Sequence, residues 1–137
     1  IAIKSGKMAL GELYKKPSNH IYIRNCLMEN GHGAIVLGSE MSGGIKDIEV
    51  KRCIFSNTDR GLRIKTRRGR GKTSIVDDIV FEDILMENVL SPFTVNMFYF
   101  CDPDGKTPYV YTKTKLPVDD RTPYLGKFTF KIYKYML

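Results

Sequence analysis

Two cations spaced by two, Arg63 and Lys65, stand in the run Gly61-Leu62-Arg63-Ile64-Lys65. In an extended chain alternate side chains share a face, so these two point to one side while Leu62 and Ile64 point to the other. A guanidinium beside an ammonium suits a carboxylate ligand, which arginine can grip with two parallel hydrogen bonds. His32 stands between Gly31 and Gly33, where a side chain can come close to a ligand; taken alone it reads better as a turn residue. His20, at the entry to a strand, reads as structural. The acidic candidates are Asp59 and the pairs Asp77-Asp78 and Asp119-Asp120. The last pair lies in a Pro-flanked stretch and reads as solvated turn chemistry.

Other chemistries fit poorly. Gly69-Arg70-Gly71-Lys72-Thr73 ends like a phosphate-binding loop, but that pattern needs a glycine where Thr66 stands, so a nucleotide site is not expected. The cluster Arg67-Arg68-Gly69-Arg70-Gly71-Lys72 is short, occurs once and has no interleaved aromatics for stacking bases. It reads as a solvated basic turn, or as a continuation of the outward face of Lys65 that serves a polyanion. Cys26, Cys53 and Cys101 form no CxxC and cannot all pair, so neither a zinc site nor a thioredoxin motif is expected. No metal and no cofactor are expected.

The elements that position these residues repeat. Ile21-Tyr22-Ile23-Arg24-Asn25-Cys26-Leu27-Met28-Glu29-Asn30 returns 27 residues later as Ile48 to Asn57, and 31 residues after that as Ile79 to Asn88. A second apolar pair keeps the same offsets, from Ile35 and Leu37 to Leu62 and Ile64 and on to Phe93 and Val95. Ile1 and Ile3 extend that ladder backwards by 34, and Phe128 and Phe130 mark the start of one more coil. Apolar residues alternate within each unit, the period of a strand. A leucine-rich repeat shares the Ile-x-Ile-x-x-Cys spacing but should continue into a helix, whereas Ala34-Ile35-Val36-Leu37-Gly38 reads as another strand. The expectation is an all-β, right-handed, single-stranded parallel β-helix, partial, of about four coils. The aligned asparagines fit it, because Asn tolerates left-handed turns and stacks into hydrogen-bonded ladders. The chain is expected to be a single incomplete domain over 1–137, with coils at 1–100, a long loop insertion at 101–127 and the start of a further coil at 128–137.

Composition narrows the partner without choosing it. The 137 residues carry 22 Lys+Arg against 15 Asp+Glu, a net +7 that favours an anion, whether nucleic acid, lipid or acidic polysaccharide. No apolar run approaches the roughly 18 residues of a membrane helix, so no membrane partner is expected.

In register, Ile1-Ala2-Ile3-Lys4-Ser5-Gly6, Gly31-His32-Gly33 and Arg63-Ile64-Lys65 resemble glycoside hydrolase family 28, the polygalacturonases and related pectin hydrolases. Gly38-Ser39-Glu40-Met41-Ser42-Gly43-Gly44 and Asn57-Thr58-Asp59-Arg60-Gly61-Leu62 look like its bacterial exo-acting members, and the resemblance covers about residues 1–130. It implies hydrolysis of α-1,4-galacturonosyl linkages by an inverting acid–base mechanism. It also implies that His32 supports the acid centre, that Arg63 and Lys65 hold a substrate carboxylate, and that Tyr99 contacts sugar. Asp59 joins the candidate substrate-binding residues because the register stacks it on His32. Asp77-Asp78 aligns instead with Lys46-Asp47, away from that row.

The family carries an Asn-x-Asp motif and an Asp-Asp pair just before the Ile-Ala-Ile-Lys-Ser-Gly stretch. An offset of 34 from His32 lands ahead of Ile1, so the acid machinery is expected one coil below His32, outside these residues. The chain alone is then expected to show little or no hydrolysis and to risk self-association through its first coil. The resemblance implies a secreted or periplasmic protein. Two rival readings are a non-catalytic β-helix module that binds acidic polysaccharide and a nucleic-acid-binding basic protein.

Overall fold

The computed structural model describes residues 1–136; Leu137, the last residue of the expected final segment, lies outside the described residues. The chain runs β1 (Ala2–Ile3), α1 (Met8–Tyr14), β2 (Ser18–Arg24), β3 (Leu27–Glu29), β4 (Ile35–Gly38) and β5 (Ile45–Ser56). It continues through β6 (Arg60–Lys65), β7 (Ile75–Glu87), β8 (Ser91–Asn96), α2 (Pro108–Tyr111), β9 (Tyr124–Leu125) and β10 (Phe128–Met136). One sheet stacks β1, β4, β6 and β8 in that order, and the other stacks β2, β5, β7 and β10, all parallel. The result is a right-handed parallel β-helix of about three full turns.

The repeat offsets are the strand register. Ile21 pairs with Ile48 and Ile48 with Ile79; Ile35 pairs with Leu62 and Leu62 with Phe93. Ile3 pairs with Leu37, as the offset of 34 requires. Phe128 and Phe130 pair with Ile79 and Phe81, so the last strand rises on the β7 side of the helix rather than on β8.

Each coil turns its corners at left-handed residues. Three columns have φ between +50 and +56: His20, Asp47 and Asp78; Asn25, Arg52 and Asp83; Asn30, Asn57 and Asn88. The third is the asparagine column of the repeat, and Asn88 Nδ2 donates to Asn57 Oδ1 at 3.2 Å. A left-handed residue breaks strict alternation, because it puts two successive side chains outside before the chain dips in again. In β5 this leaves Ile45, Ile48, Val50, Cys53 and Phe55 inside, each no more than 1% exposed. Seven of the nine corner residues are Asn or Asp, the L-residues that visit this region at least cost. The interior is a stack of like side chains, with Phe55 and Phe81 edge to face at 6.5 Å.

Helix α1 lies against the turn after β4. A Cβ on Gly11 would stand 2.5 Å from Ser42, so only glycine permits that approach. The 101–127 segment contains α2 and β9, and β9 pairs with the start of β7. No helix of the described residues is long and apolar enough to cross a membrane.

Candidate active site

The outer face of the β4–β6–β8 sheet carries the predicted residues. Arg63 and Lys65 pair with Val36 and Gly38 below and with Thr94 and Asn96 above. Leu62 and Ile64 between them are 2% and 3% exposed, so the alternation read from the sequence holds. Tyr99 bends back over both cations: Lys65 Nζ lies 4.8 Å from its ring centroid and Arg63 Cζ 5.7 Å. These are cation–π distances, and the ring's negative face helps to hold the two like charges side by side. Arg63 Nε is buried without a hydrogen-bond partner among the described residues. Burial pushes the Lys65 ammonium down from its ordinary pKa, and the charges of Arg63 and Lys4 push the same way.

His32 and Asp59 meet at the head of the same face. Asp59 N donates to Gly31 O at 3.0 Å, which stacks the two turns. His32 Nδ1 lies 2.5 Å from Asp59 Oδ2, and Arg60 Nη1 lies 3.5 Å from that same oxygen. With a carboxylate as acceptor, Nδ1 carries the hydrogen and Nε2 is left as the nitrogen with the free lone pair, on a side chain that is 65% exposed. A carboxylate that fixes the tautomer of an exposed histidine makes the ring available for proton traffic or for a hydrogen bond to a neighbouring acid.

The structure therefore forms two sets on one sheet face, His32 with Asp59 and Arg63 with Lys65 and Tyr99. It also adds residues that the sequence reading passed over. Arg60 braces Asp59. Lys4, one rung below Gly38, donates to Glu40 at 2.8 Å. That hydrogen bond raises the Lys4 pKa against the effect of burial, and it lowers that of Glu40 likewise. The ladder contained the signal for Lys4, since 34 and then 27 residues on from it lies Lys65, in the same column.

The basic cluster departs from expectation. Arg67 and Arg70 are fully buried and form ion pairs with Asp102, at 3.7 Å and 3.0 Å. Arg68 Nη2 donates to Thr112 O at 2.8 Å. The turn is neither a solvated patch nor a continuation of the Lys65 face, because it anchors the 101–127 segment; Lys72 alone stays largely exposed. The other acidic candidates are also occupied. Asp77 accepts from Lys127 N at 2.7 Å, and Asp119 is wrapped by Tyr109, Arg121 and Thr122; hydrogen bonds from Tyr109 and Arg121 hold its carboxyl down at about 2. His20 pairs with Asp47 at a corner of the helix. Among the described residues no three His, Cys, Asp or Glu side chains converge into a metal-binding group.

Comparison with known proteins gives the family. The sequence model of glycosyl hydrolases family 28 matches residues 1–120. A probable polygalacturonase of Vitis vinifera is 37% identical over 90 residues, covering 65% of this chain and 18% of that protein. An exo-poly-alpha-D-galacturonosidase of Dickeya chrysanthemi is 30% identical over 103 residues, covering 75% and 16%. A polygalacturonase of Prunus persica is 31% identical over 111 residues, covering 77% and 28%. The chain thus spans less than a third of the length of these relatives. No solved structure matches it.

Proposed function

The chain belongs to glycosyl hydrolases family 28, and from that premise we propose that it is the substrate-holding portion of a polygalacturonase-type hydrolase acting on pectin. The observation that carries the reading is the convergence of Arg63, Lys65 and Tyr99 on one open sheet face. Two cations there would hold a galacturonate carboxylate, Arg63 in bidentate fashion. Their strand has its other face sunk in the core, so the cations are fixed relative to the neighbouring coils.

The chemistry follows from that placement. Inverting hydrolysis needs a general acid at the leaving oxygen and a carboxylate base that activates water on the opposite side of the sugar. Parallel rungs lie about 4.8 Å apart, so carboxylates on neighbouring coils can flank one glycosidic bond. His32, its tautomer set by Asp59, would steady the acid from the coil above through Nε2. Among the described residues the acidic side chains on this face are Asp59 and Glu40, and each is already held by a cation or by histidine. The acid and base pair is therefore assigned to residues other than these 137, and the chain alone is expected to bind polygalacturonate without cleaving it.

Reducing-end release from polygalacturonate by the purified chain, measured beside His32→Ala, tests this. The expected result is no release by either, together with binding that Arg63→Ala weakens about tenfold. Release that His32→Ala abolishes would place the acid–base carboxylates within the chain and overturn that assignment. Equal binding of DNA and polygalacturonate at matched salt, unaffected by Arg63→Ala, would overturn the sugar reading itself.

A further inference from the structure

The column that contains Lys65 has a second cation in it. Ile3 pairs with Leu37 and Gly38 pairs with Lys65, so Lys4, Gly38 and Lys65 follow one another up the same outward row. At about 4.8 Å per rung, the backbones at Lys4 and Lys65 stand about 10 Å apart along the helix axis. The rung between them has no side chain. Gly38 adopts φ +88°, and a Cβ there would meet the Lys65 carbonyl oxygen at 2.2 Å, so no other residue fits. The rung between the two ammonium-bearing residues is thus held to bare, buried backbone.

Lys4 is not left loose in that row. Glu40 Oε2 takes its Nζ at 2.8 Å, while Glu40 Oε1 lies 3.8 Å from Lys7. Glu40 itself is positioned by the backbone, because Ser5 N donates to Glu40 O at 2.9 Å. The Lys4 side chain remains about half exposed even so, and its charge is felt at Lys65. Arg63, Lys65 and Lys4 against Glu40 leave this part of the face with a net positive charge.

We propose that Lys4, steered by Glu40, is a further substrate-contacting cation, which takes the carboxylate of a second uronate unit beside the one held by Arg63 and Lys65. This rests on the polygalacturonate reading given above. A polymer of uronate units presents a carboxylate on every ring, and cations separated along the axis by an empty rung suit successive units better than one. Glu40 acts by positioning: it points the Lys4 ammonium and, as an acceptor, it disfavours a carboxylate at its own location.

The test compares galacturonic acid with its α-1,4-linked dimer and trimer, by NMR shift titration of the nitrogen-labelled 137-residue chain. Lys4→Met is expected to weaken the dimer and trimer about tenfold and to leave the monomer unchanged, while Arg63→Ala weakens all three. Lys4→Arg is expected to restore most of the loss, which a merely structural role for the side chain would not predict. Glu40→Gln, which removes the competing anion, is expected to keep or raise trimer affinity. Lys4→Met that affects monomer and trimer equally, or neither, overturns the proposal while the sugar reading stands. Failure of the unmodified chain to bind any of the three overturns both.

Discussion

Asp102 shows how a single residue couples the 101–127 segment to the coils. Burial opposes its charge, but Arg70, Lys7 and Arg67 outweigh that penalty and hold its carboxyl below the ordinary range. Asp102→Asn removes the carboxylate that faces the fully buried Arg70 at 3.0 Å, and breaking a buried pair in this way costs about 3 kcal/mol. The depressed folded-state pKa also sets a pH dependence. The stabilisation is fully present above the unfolded carboxylate value of about 4 and is lost as the pH falls through the lower folded value. Urea unfolding should therefore show a large gap between the unmodified chain and Asp102→Asn at neutral pH, narrowing below about pH 4. A gap that is absent at neutral pH would remove Asp102 as the anchor.

Among the elements, the long strands β5 and β7 exist only because left-handed residues bend them around the core. Asn57 is such a corner, at φ +52°, and it also accepts from Asn88. Alanine and glycine there both lose the hydrogen bond, but only alanine keeps the steric cost of a left-handed L-residue. Asn57→Gly is expected to retain about 1 kcal/mol more stability than Asn57→Ala. Denaturation midpoints of the two variants measure this, and equal midpoints would show that the corner is not the cost. The same logic explains why the repeat keeps its asparagines while the outward residues between them vary.

At the scale of the whole molecule, both ends of the stack are open. Phe93 and Val95 occupy interior columns, above Leu62 and Ile64, yet are 43% and 56% exposed because no coil of the described residues covers them. With Phe128 and Phe130 they border an apolar cavity of about 290 Å³. At the other end Ile1 is 55% exposed beside the short strand β1. Unpaired parallel edges with apolar rims invite end-to-end stacking. The purified chain is expected to associate with rising concentration in sedimentation velocity, and Phe93→Glu with Val95→Lys is expected to suppress it. A chain that stays monomeric at every concentration would refute the expectation.

What the sequence by itself determined is the part of the protein that is periodic. Strand stacking requires like residues at a constant offset, so offsets of 27, 31 and 34 contain the register, the core columns and the pairing of His32 with Asp59 before any coordinate is known. The outward placement of Arg63 and Lys65 follows from alternation alone. The corners at His20, Asp47 and Asp78 and at Asn25, Arg52 and Asp83 were present as columns too, but mixed residue types hid them. Only the tertiary structure decided the rest, namely that Arg67 and Arg70 are buried, that Tyr99 covers the cations, and that Glu40 holds Lys4. Each of these depends on a non-repeating segment folding back onto a coil. Such a contact has no offset to announce it; it arises from charge and shape that meet only once the helix is wound.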